Sequence, residues 1–250
     1  VDNGRTRALA EGELAALTRL GFPRYEEVGV PFDPVRQRDE TLSYVIYRPL
    51  SFANGSIDAA PAIDASFATW GAVKCSKLDI VKIPDTNVFP SAFFGGDFLQ
   101  ADIINLGFLP GSVFDEFLGP GASDATLAVT WTFAWIDVNG TPSDPTDDFP
   151  TDFDGNGFPD TAVAEVWYNN DFAWSTTGTG NTTDIQTVAF HENGHALGLG
   201  HFGKIFGTIA NLRLHVAPRA AMNAIILSVL RGPLGTDNGA YCGLYGSWPN

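Results

Sequence analysis

The sequence is poor in basic residues and has no long hydrophobic run. Its 250 residues include 14 Lys and Arg against 29 Asp and Glu, which gives a formal net charge of −15. Nucleic-acid binding needs a basic footprint, so this balance argues against DNA or RNA as a partner. No segment is long and apolar enough to span a bilayer, so we expect no membrane span.

Cysteine, methionine and histidine are also scarce, with two, one and four copies. Cys75 and Cys242 leave two alternatives open, a single disulfide that clamps the C-terminal helix or a pair of buried thiols. We favour the disulfide, which suits an exported protein. The chain begins at Val1 with no signal-peptide pattern. We interpret it as a processed form and expect the protein to be secreted.

The most informative residues are 191–201, which read HExxHxxGxxH. His191 and His195 are four apart, so on a helix they lie on one face and can bind one zinc ion. Glu192 follows the first of them, where it can act as a general base toward water. Gly198 can adopt backbone angles closed to other residues, so the helix can end and the chain can return His201 as a third ligand.

This set of ligands is typical of a catalytic rather than a structural zinc. Three protein ligands leave a fourth position for water, whereas structural sites are closed by four. The remaining histidine, His215, lies further along the chain. We interpret it as a surface residue, because a zinc closed by four protein ligands would bind no water for Glu192 to deprotonate. The alternatives are a group on the substrate side and a fourth ligand.

The motif and its surroundings resemble the metzincin zinc peptidases, and within them the matrixins of the secreted bacterial and archaeal kind. The run 184–190 resembles the start of the metzincin active-site helix. The single methionine, Met222, follows the motif as in the Met-turn that metzincins carry beneath the zinc. Other segments resemble, in order, strands and helices of that domain: 41–48, 63–70, 101–104, 165–172 and 237–246.

The resemblance implies a metzincin-type catalytic domain of the α/β (α+β) class over residues 41–250. It has a twisted, mixed five-stranded sheet and three main helices, with the Met-turn below the zinc. Hydrophobic patterning predicts strands at 42–48, 78–83, 101–107, 126–137 and 162–168. It predicts helices at 61–73, 183–199 and 237–245. Residues 1–40 contain a helical pattern and are interpreted as an N-terminal extension or a prosegment remnant.

Several features bear on which subfamily the chain resembles. Phe202 follows the third ligand, where matrixins usually have Ser, and Ala224 stands where astacins and serralysins carry an extra Tyr ligand. The segment from His201 to Met222 is longer than in vertebrate matrixins, and we expect it to form part of the substrate cleft. The cysteine-switch motif of matrixin prosegments is absent from the sequence, and a second structural zinc is not expected.

An acidic loop before the predicted strand 162–168 resembles the first part of an EF-hand calcium loop. Oxygen-bearing side chains occupy its positions 1, 3, 5 and 9, at Asp152, Asp154, Asn156 and Asp160. Position 12 is Val163 rather than Glu, so a full EF-hand is not expected. A calcium loop without its helices and an acidic turn between two strands both remain open.

The sequence therefore predicts a zinc-dependent endopeptidase that hydrolyses peptide bonds in proteins, with Glu192 as the general base and Met222 supporting the site. By the resemblance, a substrate lies extended along an edge strand within 126–137, and a pocket walled by residues after Met222 sets the side-chain preference. The alternatives are a zinc hydrolase of a non-protein amide and a catalytically silent zinc- or calcium-binding protein. We expect a monomer.

Overall fold

A computed structural model describes residues 41–87, 91, 103–134, 136–137, 146–147, 149–150, 161–208 and 213–248. The predicted N-terminal extension, residues 1–40, lies outside the described residues. So does the predicted calcium loop with Asp152, Asp154, Asn156 and Asp160. Both therefore stay predictions. Among the described residues, no helix is both long and apolar enough to cross a bilayer.

Five strands form the main sheet, as the sequence predicts. They are β1 (Thr41–Ile46), β2 (Asp79–Lys82), β3 (Ile103–Leu109), β4 (Ala128–Ala134) and β5 (Thr161–Asn169). Their order in the sheet is β2-β1-β3-β5-β4. The first four strands in this order, β2, β1, β3 and β5, are parallel. Strand β4 runs antiparallel to β5, so the sheet is mixed. Strand β4 is therefore an edge strand of this sheet.

In the described residues, four helices accompany the sheet, one more than predicted. They are α1 (Ala60–Gly71), α2 (Gly111–Leu118), α3 (Ile185–Ala196) and α4 (Gly235–Tyr245). The unpredicted helix is α2, which has only eight residues and begins with a glycine after Pro110. Its eight residues are fewer than the roughly 11–18-residue window over which helical periodicity is read. Its Phe114 is buried with Leu106 and Trp167 of the sheet.

The main core lies between the sheet and the pair α1 and α3. Trp70 of α1 stacks on Phe190 of α3, with ring centroids 4.4 Å apart, and its indole N–H donates to the Phe190 carbonyl at 2.9 Å. Helix α3 also packs on β4 and β5. The helix that carries the zinc motif is therefore held between another helix and the sheet edge.

Helix α4 closes the described chain against this core. A disulfide joins Cys75, just after α1, to Cys242 in α4, as the first of the two sequence alternatives predicts. Tyr241 and Tyr245 are fully buried, and the Tyr245 hydroxyl donates to the Leu197 carbonyl at 2.8 Å. The last helix is thereby tied both to α1 and to the end of the active-site helix.

The long segment between His201 and Met222 folds as a hairpin rather than as the loop expected from the sequence. Strands β6 (Lys204–Thr208) and β7 (Arg213–Ala217) pair antiparallel. Ile205 and Phe206 are exposed by 46% and 49%. Neighbours along a strand point to opposite faces, so both faces of the hairpin present apolar surface.

Candidate functional site

Helix α3 begins at a capped residue and delivers two of the predicted ligands. Asp184 is its N-cap, and its carboxylate accepts from the Thr187 backbone N–H at 2.8 Å. This contact satisfies one of the otherwise orphan N–H groups at a helix start. His191 and His195 then follow one turn apart on the same face, and both are buried.

The chain turns sharply after α3 and brings in the third histidine. The helix ends at Ala196, three residues earlier than predicted, because Gly198 has a φ of +85° that right-handed helix does not allow. The Gly198 N–H donates to the His195 carbonyl at 2.8 Å, and the Leu199 N–H donates to Gly194 at 2.9 Å. This turn places His201 beside the other two, as the spacing predicts.

The Nε2 atoms of the three histidines converge on one point. They lie 3.0 Å apart for His191 and His195 and 3.2 Å apart for each of the other two pairs. Nδ1 of His191 lies 2.7 Å from the Ala221 carbonyl, and Nδ1 of His195 lies 2.7 Å from the Leu199 carbonyl. Because carbonyls only accept, these two Nδ1 atoms carry the protons and their Nε2 lone pairs face inward.

Such an arrangement fits a bound cation and specifically the geometry of zinc. Inward lone pairs at these separations repel one another unless a positive ion lies among them. Zinc–nitrogen bonds of roughly 2.0–2.1 Å in tetrahedral geometry set ligand nitrogens roughly 3.3–3.4 Å apart. The observed triangle is within a few tenths of an ångström of that spacing. His191, His195 and His201 would therefore hold one zinc, with a fourth position left open.

The fourth histidine takes no part in this cluster. In the part of the chain that the structure describes, the three motif histidines are the one group of three or more close metal-binding side chains. His215 lies on β7, where its ring stacks on Phe206 at 5.4 Å between centroids. It is half-buried in the hairpin, outside the metal cluster.

Met222 lies directly under the active-site helix. Its side chain is 1% exposed, and a Cβ added at Gly194 would collide with its sulfur. Gly194, the residue just before the second histidine His195, thus lets the Met-turn approach the helix closely. The Met222 carbonyl also accepts from the Phe202 N–H at 2.7 Å. The turn therefore supports the helix and the segment after the third ligand together.

Asp237 holds the Met-turn in place, a role that the sequence did not reveal. Its carboxylate is buried and accepts from the backbone N–H groups of Ala221 at 2.8 Å, Met222 at 3.0 Å and Leu234 at 2.7 Å. The Ala221 carbonyl in turn accepts from His191 Nδ1. Asp237 therefore orients a metal ligand through one peptide group. An acid at a predicted helix start was the only available signal, and capping explains it equally well.

Glu192 is fully buried, and it faces the sheet edge. Its Oε2 accepts from the Thr130 hydroxyl of β4 at 2.7 Å. The pKa of Tyr168 on β5 is raised well above its usual value, first by burial of its hydroxyl and then by the negative charge of Glu192. The sequence did not point to Thr130, because only the packing of α3 on β4 brings it to Glu192.

A cavity of about 320 Å³ lies beside the N-terminal half of α3. Its lining includes Thr187, one helical turn before His191, and Leu127, just before β4. Its other walls include Phe172 and the segment 226–229 that follows the Met-turn. Arg231 pairs with Asp184 and so fastens that segment to the start of α3. A pocket walled by residues after Met222 is therefore present, as expected.

Comparison with known protein families gives a match within the chain. The model of the peptidase family described as Matrixin matches residues 132–206. This stretch runs from β4 through α3 into the hairpin, and it includes Glu192 and all three clustered histidines. No curated protein matches the chain significantly. The strand order, the helices and the three-histidine cluster on and after α3 are those of a metzincin-type fold.

Proposed function

We propose that this chain is a zinc-dependent endopeptidase of the matrixin-like metzincin type, which cleaves peptide bonds inside proteins. The Matrixin match over residues 132–206 and the three-histidine cluster support this proposal. Zinc metallopeptidase activity in general follows from the matrixin match. The observation that carries the finer proposal is the buried Glu192 next to three converged histidine nitrogens. A purely structural zinc site has no use for such a base.

His191, His195 and His201 would hold the zinc, and the Asp237-anchored Met-turn fixes the ring of His191. Zinc, when bound, supplies Lewis-acid polarisation of a carbonyl and makes water more acidic. Glu192 accepts the proton of the attacking water and later delivers it to the leaving amine. Its burial keeps bulk water away from this proton transfer.

The proposed substrate lies along β4 in an extended conformation. In the described part of the main sheet, β4 is the last strand in the order, the position at which an extended peptide adds as a further strand. Main-chain hydrogen bonds along that edge give affinity with little sequence preference. A substrate paired with β4 would pass close to Glu192, because Glu192 contacts β4 through Thr130.

The cavity beside α3 is the proposed site for one substrate side chain. Its lining combines apolar residues such as Leu127 and Ile226 with the hydroxyls of Thr183 and Thr187. The one carboxylate in the wall, Asp184, is already paired with Arg231. We therefore expect an uncharged side chain to be preferred at the position that enters this cavity.

The proposal extends to the setting of the protein. Secretion is supported by the Cys75–Cys242 disulfide, because such bonds persist in oxidising compartments. Calcium binding at 152–160 and the role of residues 1–40 stay predictions, since those residues lie outside the described part of the chain. The expected monomer is likewise untested.

The test is mass-spectrometric mapping of cuts in an unfolded protein, with and without a zinc chelator. We expect internal cuts that the chelator abolishes, with one preferred uncharged side chain beside the cut. The matched control is Glu192→Ala, which should keep zinc and fold but lose about 10²–10⁴-fold in turnover. Cleavage by this variant at the wild-type rate would contradict the assignment of Glu192.

The same experiment separates the two alternatives. A zinc hydrolase of a non-protein amide would leave the unfolded protein intact and would hydrolyse members of a panel of small amides. A silent zinc-binding protein would bind one zinc and cleave neither. Either result would replace the endopeptidase proposal.

A further inference from the structure

We propose that Thr130 is a positioning residue that holds the Glu192 carboxylate in register with the substrate-binding edge of β4. The inference rests on the proposed function, because it assigns Thr130 a task in that reaction. It adds a residue from outside the zinc motif and from a different element of the fold.

The sheet register aims Thr130 at the active-site helix. Thr130 pairs with Val166 of β5, and the neighbouring pair on the same face is Ala128 with Tyr168. Ala128, Val166 and Tyr168 all belong to the core beneath α3. The Thr130 side chain therefore points from β4 into the space that Glu192 occupies, and it is only 9% exposed.

The Thr130 hydroxyl meets Glu192 twice. Its Oγ1 lies 2.7 Å from the Glu192 carboxylate oxygen Oε2 and 3.0 Å from the Glu192 backbone carbonyl. A hydroxyl has one proton, so it donates to one of these acceptors at a time. The charged carboxylate is the stronger acceptor and the closer one. The carbonyl contact fixes where the hydroxyl stands relative to the helix.

Packing alone does not call for a hydroxyl at this position. Valine has the same shape as threonine and would suit the apolar face formed by Ala128 and Val166. Burying a hydroxyl costs free energy unless it is hydrogen-bonded. In this structure its partner is Glu192, so the polar group is explained by the carboxylate that it holds.

This contact ties the base to the strand on which the substrate would lie. The scissile bond is placed by pairing with β4, and the proton acceptor is placed by a side chain of the same strand. A displacement of about 1 Å between reacting groups can cost about 100-fold in rate. Thr130 thus places Glu192 and the substrate relative to the same strand.

The test compares Thr130→Val, Thr130→Ser and the matched control Thr69→Val, which makes the same change at a half-buried position of α1 whose hydroxyl donates to the Ala65 carbonyl. We expect T130V to lower kcat about 10- to 100-fold, with KM within about twofold and one zinc per chain retained. T130S should recover kcat to within about threefold, and T69V should match wild type. A wild-type kcat in T130V would overturn the proposal. A kcat in T130S as low as that in T130V would overturn it as well.

A second readout needs neither activity nor a variant. A high-resolution crystal structure of the zinc-loaded wild-type protein gives the distance from Thr130 Oγ1 to Glu192 Oε2. A hydrogen bond within about 3.2 Å supports the proposal, and a separation beyond about 3.5 Å overturns it. If wild type cleaves no peptide, the endopeptidase proposal fails, while this distance still decides whether Thr130 holds Glu192.

Discussion

The active-site helix α3 and the β6–β7 hairpin are neighbours in the chain, yet their environments are opposite. In α3, every residue except Gln186 is buried, including both histidines and Glu192. In the hairpin, Ile205 and Phe206 expose nearly half of their surface. Each polar group in the helix therefore has to be matched by a specific partner, whereas the hairpin is constrained mainly by its own strand pairing. We expect substitutions in and around α3 to reduce zinc binding and the free energy of unfolding far more than those in the hairpin.

The largest contrast should come from the histidines. His201→Ala should weaken zinc binding by more than about 100-fold, because even the hydrogen-bonded neighbours of a ligand are worth about 10- to 100-fold. His215→Ala, in the hairpin, should keep one zinc per chain. Competition with a chelator of known affinity measures both. Equal zinc loss in the two variants would place His215 in the metal site and end the contrast between helix and hairpin.

The next largest effect should follow removal of the carboxylate under the Met-turn. Asp237→Ala leaves the N–H groups of Ala221, Met222 and Leu234 without their acceptor. We expect it to lower the free energy of unfolding by about 3–5 kcal/mol, as breaking a buried hydrogen-bond network does.

Urea unfolding of zinc-free protein measures this loss apart from metal binding. Asp237→Asn, which keeps one acceptor oxygen, is the matched control and should lose less. Equal stability of D237A and wild type would show that the Met-turn keeps its conformation without the Asp237 carboxylate.

A smaller, pH-dependent effect should appear at the start of α3. Burial alone would raise the pKa of Asp184, but hydrogen bonds from Arg231 and Thr187 outweigh it and lower that pKa below its usual 3.8. A carboxyl with a lowered folded-state pKa stabilises the protein above its unfolded pKa, and this stability is lost as the pH falls through the folded-state value.

Asp184→Asn should therefore cost about 1–2 kcal/mol at pH 7 and progressively less below about pH 4. Urea unfolding across this pH range measures the difference between the variant and wild type. A difference that stays constant with pH would show that Asp184 acts through packing and not through its charge.

The smallest effect should come from the exposed face of the hairpin. Phe206→Ser should change the free energy of unfolding by no more than about 0.5 kcal/mol, since nearly half of the ring is already in water. Zinc content should stay at the wild-type level. Thermal unfolding with zinc analysis measures both quantities. A loss comparable to that of D237A would show that the hairpin is part of the folding core.

The zinc ligands were predictable because each depends on local backbone geometry. A spacing of four residues places His191 and His195 on one face of any helix. The positive φ of Gly198 is a local property of the turn that returns His201. The five main strands were equally visible, since alternating or continuous apolar runs mark buried strands wherever they occur. The fold class therefore followed from the sequence, apart from α2, which is shorter than the window over which helical periodicity is read.

What surrounds the ligands was less accessible. Thr130 reaches Glu192 across 62 positions of sequence, and Asp237 reaches Met222 across 15. Neither residue type is unusual in its own segment, so no local pattern marks them. The segment after His201 was recognised as long, but its pairing into β6 and β7 was not, because its strands are short and exposed on both faces.

The sequence by itself determined which three histidines lie together and where the five main strands run, and it points to Glu192 as the proposed general base, because helical spacing, glycine geometry and hydrophobic period act over a few residues. Tertiary structure alone decided which groups hold that machinery: the Thr130 hydroxyl on Glu192 and the Asp237 carboxylate under the Met-turn. Buried polar groups must find partners, and the packing of α3 on β4 and of α4 on the Met-turn determines which partners lie within hydrogen-bonding distance.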